Sequence, residues 1–418
     1  MSSLRTLRFS GILGLGLGLA LASACSAGSS TGGSGLHGGS GNGSGATGSG
    51  GTTGLGSTSG DGNTGNIITN NGGGANASDA GCQQLAVKFD PKTPSVFVLV
   101  DRSGSMFAAP NPPWEPLKMG ALQVIQELQA DVAFGWGAFT GQAGTTCPDF
   151  KSVAPALNNY TAINGVYGSL GATGYKSETP VGMSLALVEA ALAQSPVDGD
   201  KYILFVTDGE PDFCDDGEPN CPIDDVVYRL QTLKAKGIQT IIFGLQNGNV
   251  PPATLQAFAN AGAGQPVAAP FAANGTPIPL MQAYYDCQGV NGWKTEATAA
   301  GRTGMDMLGM YSATGGTTKY YQPDPADQTA LATQLRSVLA GVKSCTFDLG
   351  GKISVDLTQL NLASVAIQDQ PVPLDMTNGW TMSSETQLTL VGSACDTWRK
   401  PESTKIDFNF PCEILVVK

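Results

Sequence analysis

The stretch Val96-Phe97-Val98-Leu99-Val100-Asp101-Arg102-Ser103-Gly104-Ser105-Met106 decides how this chain is read. Its first five residues are uninterrupted apolar side chains, mostly β-branched or aromatic, which is the signature of a strand buried on both faces. The run ends on the carboxylate of Asp101. Two hydroxyls, Ser103 and Ser105, flank Gly104, which lets the backbone fold them to one side. Because this polar set follows the strand directly, it falls at the carboxyl edge of the sheet, where open α/β folds bind their ligands. All of its donor atoms are hard oxygens. They suit Mg2+ or Mn2+, with Ca2+ also compatible, and do not suit zinc or copper, which favour nitrogen and sulfur.

Outward from this stretch the same alternation repeats. Pro116 to Gln129 reads as an amphipathic helix, followed by a strand from Val132 to Phe139. Further strands are expected at Tyr202 to Thr207, at Ile238 to Phe243 and, shorter, near Lys319 to Tyr321. Helices are expected at Val181 to Ala193, Asp224 to Lys236 and Ala326 to Ala340. Strands alternating with helices predict an α/β fold, a doubly wound and mostly parallel sheet with helices on both faces. The Gly/Ala/Pro-rich stretch at about 263–314, with Cys287 and Trp293, is longer than a simple connection and reads as an insertion. After Cys345 the pattern changes to short alternating strands, Lys352 to Leu357, Gln387 to Val391 and Ile406 to Phe410, which predict a small all-β appendage over 345–418.

The DxSxS pattern of Asp101, Ser103 and Ser105 resembles the metal-ion-dependent adhesion site of von Willebrand factor type A and integrin inserted domains. That family also needs a Thr from a second loop and an Asp from a third. The chain offers Thr179 in Glu178-Thr179-Pro180-Val181-Gly182 and Asp208 in Phe205-Val206-Thr207-Asp208-Gly209. Singly, each has a plain structural reading: Thr179 before Pro180 makes a good helix start, and Asp208-Gly209 an ordinary turn. Jointly they make the match. The resemblance spans roughly residues 94–343, about three fifths of the chain, within a head expected over 82–344. It implies a divalent cation held by Asp101, Ser103, Ser105, Thr179 and Asp208, with an open position completed by an Asp or Glu carboxylate of a protein or matrix partner. A bound cation would also reverse the local field of an acidic head.

Composition narrows the partners. With 22 basic against 34 acidic residues the net charge is -12, and no basic stripe is present, which argues against nucleic acid. The single histidine, His37, lies outside the expected head and appendage, and no GxxxxGK[ST] loop occurs. Ser-His-Asp, Cys-His and His-ligated metal catalysis are thereby excluded from the isolated folded domains, and no enzyme activity is expected. Carboxylates also concentrate in Asp212-Phe213-Cys214-Asp215-Asp216-Gly217-Glu218 and Asp224-Asp225. This reads as a solvated acidic loop, or as a second Ca2+ site without EF-hand spacing.

The N-terminus reads as an export signal over 1–24, with Arg5 and Arg8 ahead of a short apolar run. Ala22-Ser23-Ala24 suits ordinary signal peptidase, whereas Leu21-Ala22-Ser23-Ala24-Cys25 resembles a bacterial lipobox with Cys25 as the lipidated residue. A lipoprotein of the bacterial cell envelope, with Ser26 pointing to the outer membrane, and a secreted protein are the two readings. Residues 26–81 are almost wholly Gly, Ser, Thr, Asn and Ala, a flexible tether spanning roughly 40 Å as a random coil. Of nine cysteines, setting Cys25 aside leaves an even set: Cys82, Cys147, Cys214, Cys221, Cys287, Cys345, Cys395 and Cys412. Disulfides in an oxidising compartment are expected, with Cys214–Cys221 and Cys395–Cys412 as the preferred local pairs. Two functions compete: adhesion through the metal, and an envelope scaffold in which the metal only stabilises the fold.

Overall fold

A computed structural model describes residues 66–67 and 89–417, apart from 109, 143, 215–219, 247–249, 269–276, 351–352, 401–402 and 404. The export signal, Cys25, His37 and Cys82 lie outside the described residues, as does the tether except at one point. There, β1 (Asn66–Ile67) pairs in parallel with Asp407 and Phe408. The expected flexible tether thus contributes a short strand.

The head begins after β2 (Phe89–Pro91) with β3 (Ser95–Asp101), the stretch that opened the sequence reading. Then follow β4 (Ala133–Thr140), β5 (Asp149–Ala156), β6 (Lys201–Thr207) and β7 (Ile238–Gly244), in the sheet order β5-β4-β3-β6-β7. All pairs are parallel except β4 with β5. Val96, Val98 and Val100 point into one core and Phe97 and Leu99 into another, so β3 is buried on both faces as its sequence requires. On the first face lie α1 (Trp114–Leu128), α2 (Tyr160–Tyr167) and α8 (Gln328–Ala340); on the second lie α3 (Val181–Ala193), α4 (Asn220–Ala235) and α5 (Pro252–Ala263). This is the doubly wound, mostly parallel α/β architecture expected. Helices α1 and α8 approach closely at Gly120, whose missing Cβ would meet Ala332 and Gln328 backbone at 3.4 Å.

Two expectations need correction. The strand near Lys319 to Tyr321 is a single parallel bridge between Phe243 and Tyr321; Pro323 follows and has no N–H to extend the ladder. The stretch expected as an insertion at 263–314 contains, among its described residues, α6 (Leu280–Cys287) and α7 (Asn291–Ala299), which close a small core of their own around Trp293, Phe213, Cys287 and Leu308. The preferred cysteine pairs do not form. The disulfides are Cys147–Cys214, Cys221–Cys287 and Cys345–Cys395, with Cα separations of 6.2, 5.5 and 5.6 Å. Cys221 sits on the buried side of α4 facing the α6 core, so its partner comes from there and not from the neighbouring loop.

The β module contains β8 (Thr346–Leu349), β9 (Ile353–Val355), β10 (Ser364–Ile367), β11 (Gln370–Val372), β12 (Trp380–Ser384), β13 (Gln387–Leu390), α9 (Ser393–Trp398), β14 (Ile406–Asn409) and β15 (Leu415–Val417). Its sheets run β12-β13-β8-β2 and β1-β14-β10-β11, with β15 beside β9. The expected C-terminal appendage is therefore completed by strands from before the head. Phe89 sits at its centre, with ring centroids 5.0 Å from both Phe408 and Phe410. The chain leaves this module at Pro91, enters the head through β3, and returns after α8. Among the described residues no helix is long and apolar enough to cross a membrane.

Candidate metal centre

The sheet register aligns the loops that carry the candidate residues. Val100 pairs with Val206 and Asp101 with Phe139, which brings the carboxyl ends of β3, β4 and β6 to one edge. Asp101 is fully buried there. Its Oδ1 accepts from the Ser103 N–H at 2.8 Å and its Oδ2 from the Thr207 hydroxyl at 2.7 Å. The Ser103 and Ser105 hydroxyls are 3.1 Å apart, and Ser105 donates to Asp208 Oδ1 at 2.7 Å.

Thr179 is 6% exposed and stands just before α3. Its carbonyl accepts from Val181 N at 2.8 Å and from Asp212 N at 2.9 Å, which ties its loop both to the helix and to the segment beyond Asp208. Oxygens of Asp101, Ser105 and Thr179 converge beside Gly209, and Ser103 and Asp208 join them through Ser105. The position that a Cβ would occupy there lies 3.6 Å from Ser105 Oγ, 3.7 Å from Thr179 Oγ1 and 3.8 Å from Asp101 Oδ2. A larger residue at 209 would fill this space. The fold thus brings together Asp101, Ser103, Ser105, Thr179 and Asp208 from three loops.

The electrostatics of the cluster are unbalanced. Burial pushes the Asp208 carboxyl up to about 7, and the charge of Asp101 pushes in the same direction. Burial raises Asp101 too, against the hydrogen bonds from Thr207 and Ser103. Among the described residues no Lys or Arg pairs with either acid, and no three His, Cys, Asp or Glu side chains gather into a cluster. Two buried carboxylates and three hydroxyls, all hard and uncompensated, fit a hard divalent cation in donor type.

Several residues that support the cluster escaped the sequence reading. Thr207, quoted only as part of a turn, orients Asp101. Arg102 is buried; it donates to the Thr173 carbonyl at 2.6 Å and to the Gly171 and Gly174 carbonyls at 3.4 Å, drawing residues 171–174 toward the loop. The Cys147–Cys214 bridge lies against Gly141, which exchanges two backbone hydrogen bonds with Glu178 next to Thr179. A strand-end Thr before an Asp-Gly turn was a usable signal; the others depend on residues distant in sequence.

The acidic stretch that followed Asp208 is not one surface. Residues 215–219 lie outside the description, while Asp224 and Asp225 are buried in α4. Asp224 accepts from Trp293 Nε1, Gly309 N and the Tyr311 hydroxyl, each at 2.8 Å. Its oxygens are spent on protein donors, which removes it from a second Ca2+ site.

No protein-family model matches the sequence, and none of the curated proteins matches it. Solved structures align with it at low identity. The pilus adhesin SpaC from Lactobacillus rhamnosus GG aligns at 15% identity and a TM-score of 0.36, over 74% of this chain and 40% of that one. Manganese-loaded TRAP protein of Plasmodium vivax aligns at 15% identity and 0.32, over 43% of this chain and 65% of that one. The SpRpn10 VWA domain aligns at 14% identity and 0.31, over 45% of this chain and 88% of that one. The chain thus spans about 40% of the length of the pilus adhesin.

Proposed function

We propose that this protein binds a divalent cation, Mg2+ or Mn2+, through Asp101, Ser103, Ser105, Thr179 and Asp208, and uses it to hold a partner that presents an Asp or Glu carboxylate. The observation that carries the reading is the convergence of Asp101, Ser105 and Thr179 oxygens on one space beside Gly209, with Asp208 bonded to Ser105 and, among the described residues, no basic side chain to neutralise the acids. The cation supplies the missing positive charge and an acceptor for an incoming carboxylate. The chain's residues orient the oxygens and keep Asp101 from bulk water. Binding, not turnover, is the proposed activity. Export is supported by the N-terminal signal pattern and by the three disulfides, which persist in oxidising compartments. Anchorage through Cys25 in the bacterial envelope is part of the same proposal.

The test is calorimetric titration of Mn2+ and Mg2+ into the protein, its Asp101→Ala variant and its Asp208→Asn variant. Saturable binding is expected in the unmutated protein alone. At free metal 100-fold above Kd the bound protein should gain about 2.7 kcal/mol of stability, a gain that both variants forfeit. Absence of saturable binding in the unmutated protein would sink the proposal. Chelation separates adhesion from scaffolding: partner capture lost with the fold intact makes the metal the contact, whereas capture that survives while Tm falls makes it a fold stabiliser.

A further inference from the structure

Asp225 is 1% exposed, and neither of its carboxylate oxygens has a hydrogen-bond partner. Arg229 Nε and Arg302 Nη1 stand 3.8 and 3.9 Å from Oδ1, within ion-pair reach. Its Oδ2 lies directly against Gly182, where a Cβ would collide with it and would stand 3.0 Å from Cγ. Gly182 is the second residue of α3, and Val181, the first, donates its N–H to the Thr179 carbonyl. No side chain caps this helix. The Asp225 carboxyl fills the space beneath this turn.

We propose that Asp225 is a positioning residue for Thr179: its side chain wedges against the first turn of α3 at Gly182 and thereby sets where the Thr179 hydroxyl enters the oxygen cluster. The functional meaning rests on the metal-binding reading above; the wedge itself does not. The wedge is backed by the stretch that the sequence presented as an insertion. Arg302 lies over the Tyr228 ring at 3.3 Å from its centroid, Glu296 pairs with Arg229, and Asp224 next door is fixed by Trp293, Gly309 and Tyr311. Residues 291–311 therefore brace the rear of the Thr179 loop and are more than a decoration on the head.

The experiment compares the full-length chain with Asp225→Ala, Asp225→Asn, Gly182→Ala and, as a lesion at the far end of the same helix, Leu192→Ala. One readout is hydrogen exchange of the Val181 and Ser184 amides without metal; the other is Mn2+ affinity. Asp225→Ala should speed exchange of both amides by about tenfold and weaken Mn2+ binding by a similar factor. Asp225→Asn, which refills the space, should restore most of both. Gly182→Ala should reproduce the Asp225→Ala changes with every charge in place, so the idea remains testable if Asp225→Ala fails to fold. Leu192→Ala should lower Tm and leave both readouts near their original values. Unchanged exchange in Asp225→Ala and Gly182→Ala, or an equal change in Leu192→Ala, would overturn the proposal. Should the unmutated chain take up no Mn2+, the metal reading fails and the exchange data alone decide the wedge.

Discussion

Asp101 with Asp208 and Asp224 with Asp225 are two pairs of buried acids in one domain, and they solve the cost of burial differently. Burial pushes both Asp208 and Asp225 up to about 7, so the shift alone does not tell the pairs apart. The surroundings do. Around Asp208 the next influence is repulsion from Asp101; Ser105 donates its hydroxyl to Asp208, and the Thr207 hydroxyl and the Ser103 amide donate to Asp101. Around Asp225 the next influence is the guanidinium of Arg229, which pulls the other way, and Asp224 beside it is met by an indole, an amide and a phenol. A perturbed carboxyl marks a candidate site when the chain withholds the cation that would neutralise it, and marks structural bracing when the chain supplies it.

The largest expected effect tests that division directly. Asp224→Ala strands the Trp293 indole, the Gly309 amide and the Tyr311 hydroxyl, and should cost about 3–5 kcal/mol in a denaturant titration. Asp208→Asn in chelator should cost under about 1 kcal/mol, or stabilise the protein, because it relieves a repulsion. Equal losses in the two variants would erase the distinction between a braced pair and an uncompensated one.

The next effect is a pH dependence at Asp225. A carboxyl raised on folding contributes stability that is fully present below its unfolded pKa, near 4, and is lost as pH rises through about 7. Asp225→Asn, which stays neutral throughout, should therefore have a Tm close to that of the parent below about pH 4 and a higher one at pH 8. Parallel Tm curves across that range would show that Arg229 and Arg302 compensate the charge fully.

How much of this was legible follows from what each element has to bury. The strand β3 and the helices α1, α3 and α8 were readable because uniform or periodic apolar runs face a core on at least one side. The edge strand β5 was not: it is largely solvent-facing and carries Pro155, which an edge strand tolerates and a periodicity search rejects. Helix α5, rich in Ala and Gly, gives a weak pattern despite Pro252 at its start and Gly264 in the left-handed conformation at its end. The five candidate ligands were readable because each sits where a strand ends or a helix begins, and the fold brings all five together. The partners of Cys214, Cys221 and Cys395 were not, because each bridge spans at least 50 residues and short spacing pointed to the wrong neighbour. Asp224 and Asp225 were read as part of a surface loop because sequence shows charge but not the indole, phenol and guanidiniums that meet it.

The smallest effect reverses the sign of the pH test. Glu127 on α1 accepts from Arg336 on α8 at 2.7 and 2.9 Å, and those bonds hold its carboxyl below the ordinary range. Its contribution is therefore present above an unfolded pKa near 4.3 and lost as pH falls through the lowered folded value, the opposite of Asp225. The pair is exposed, so solvent screens it and Glu127→Gln should cost only about 0.5 kcal/mol at pH 7 and low salt, less at high salt. A Glu127→Gln loss that shrinks below about pH 4, beside an Asp225→Asn gain that grows as pH rises from about 4 to 7, would show that burial and not the guanidinium partner sets the sign, since both acids have one.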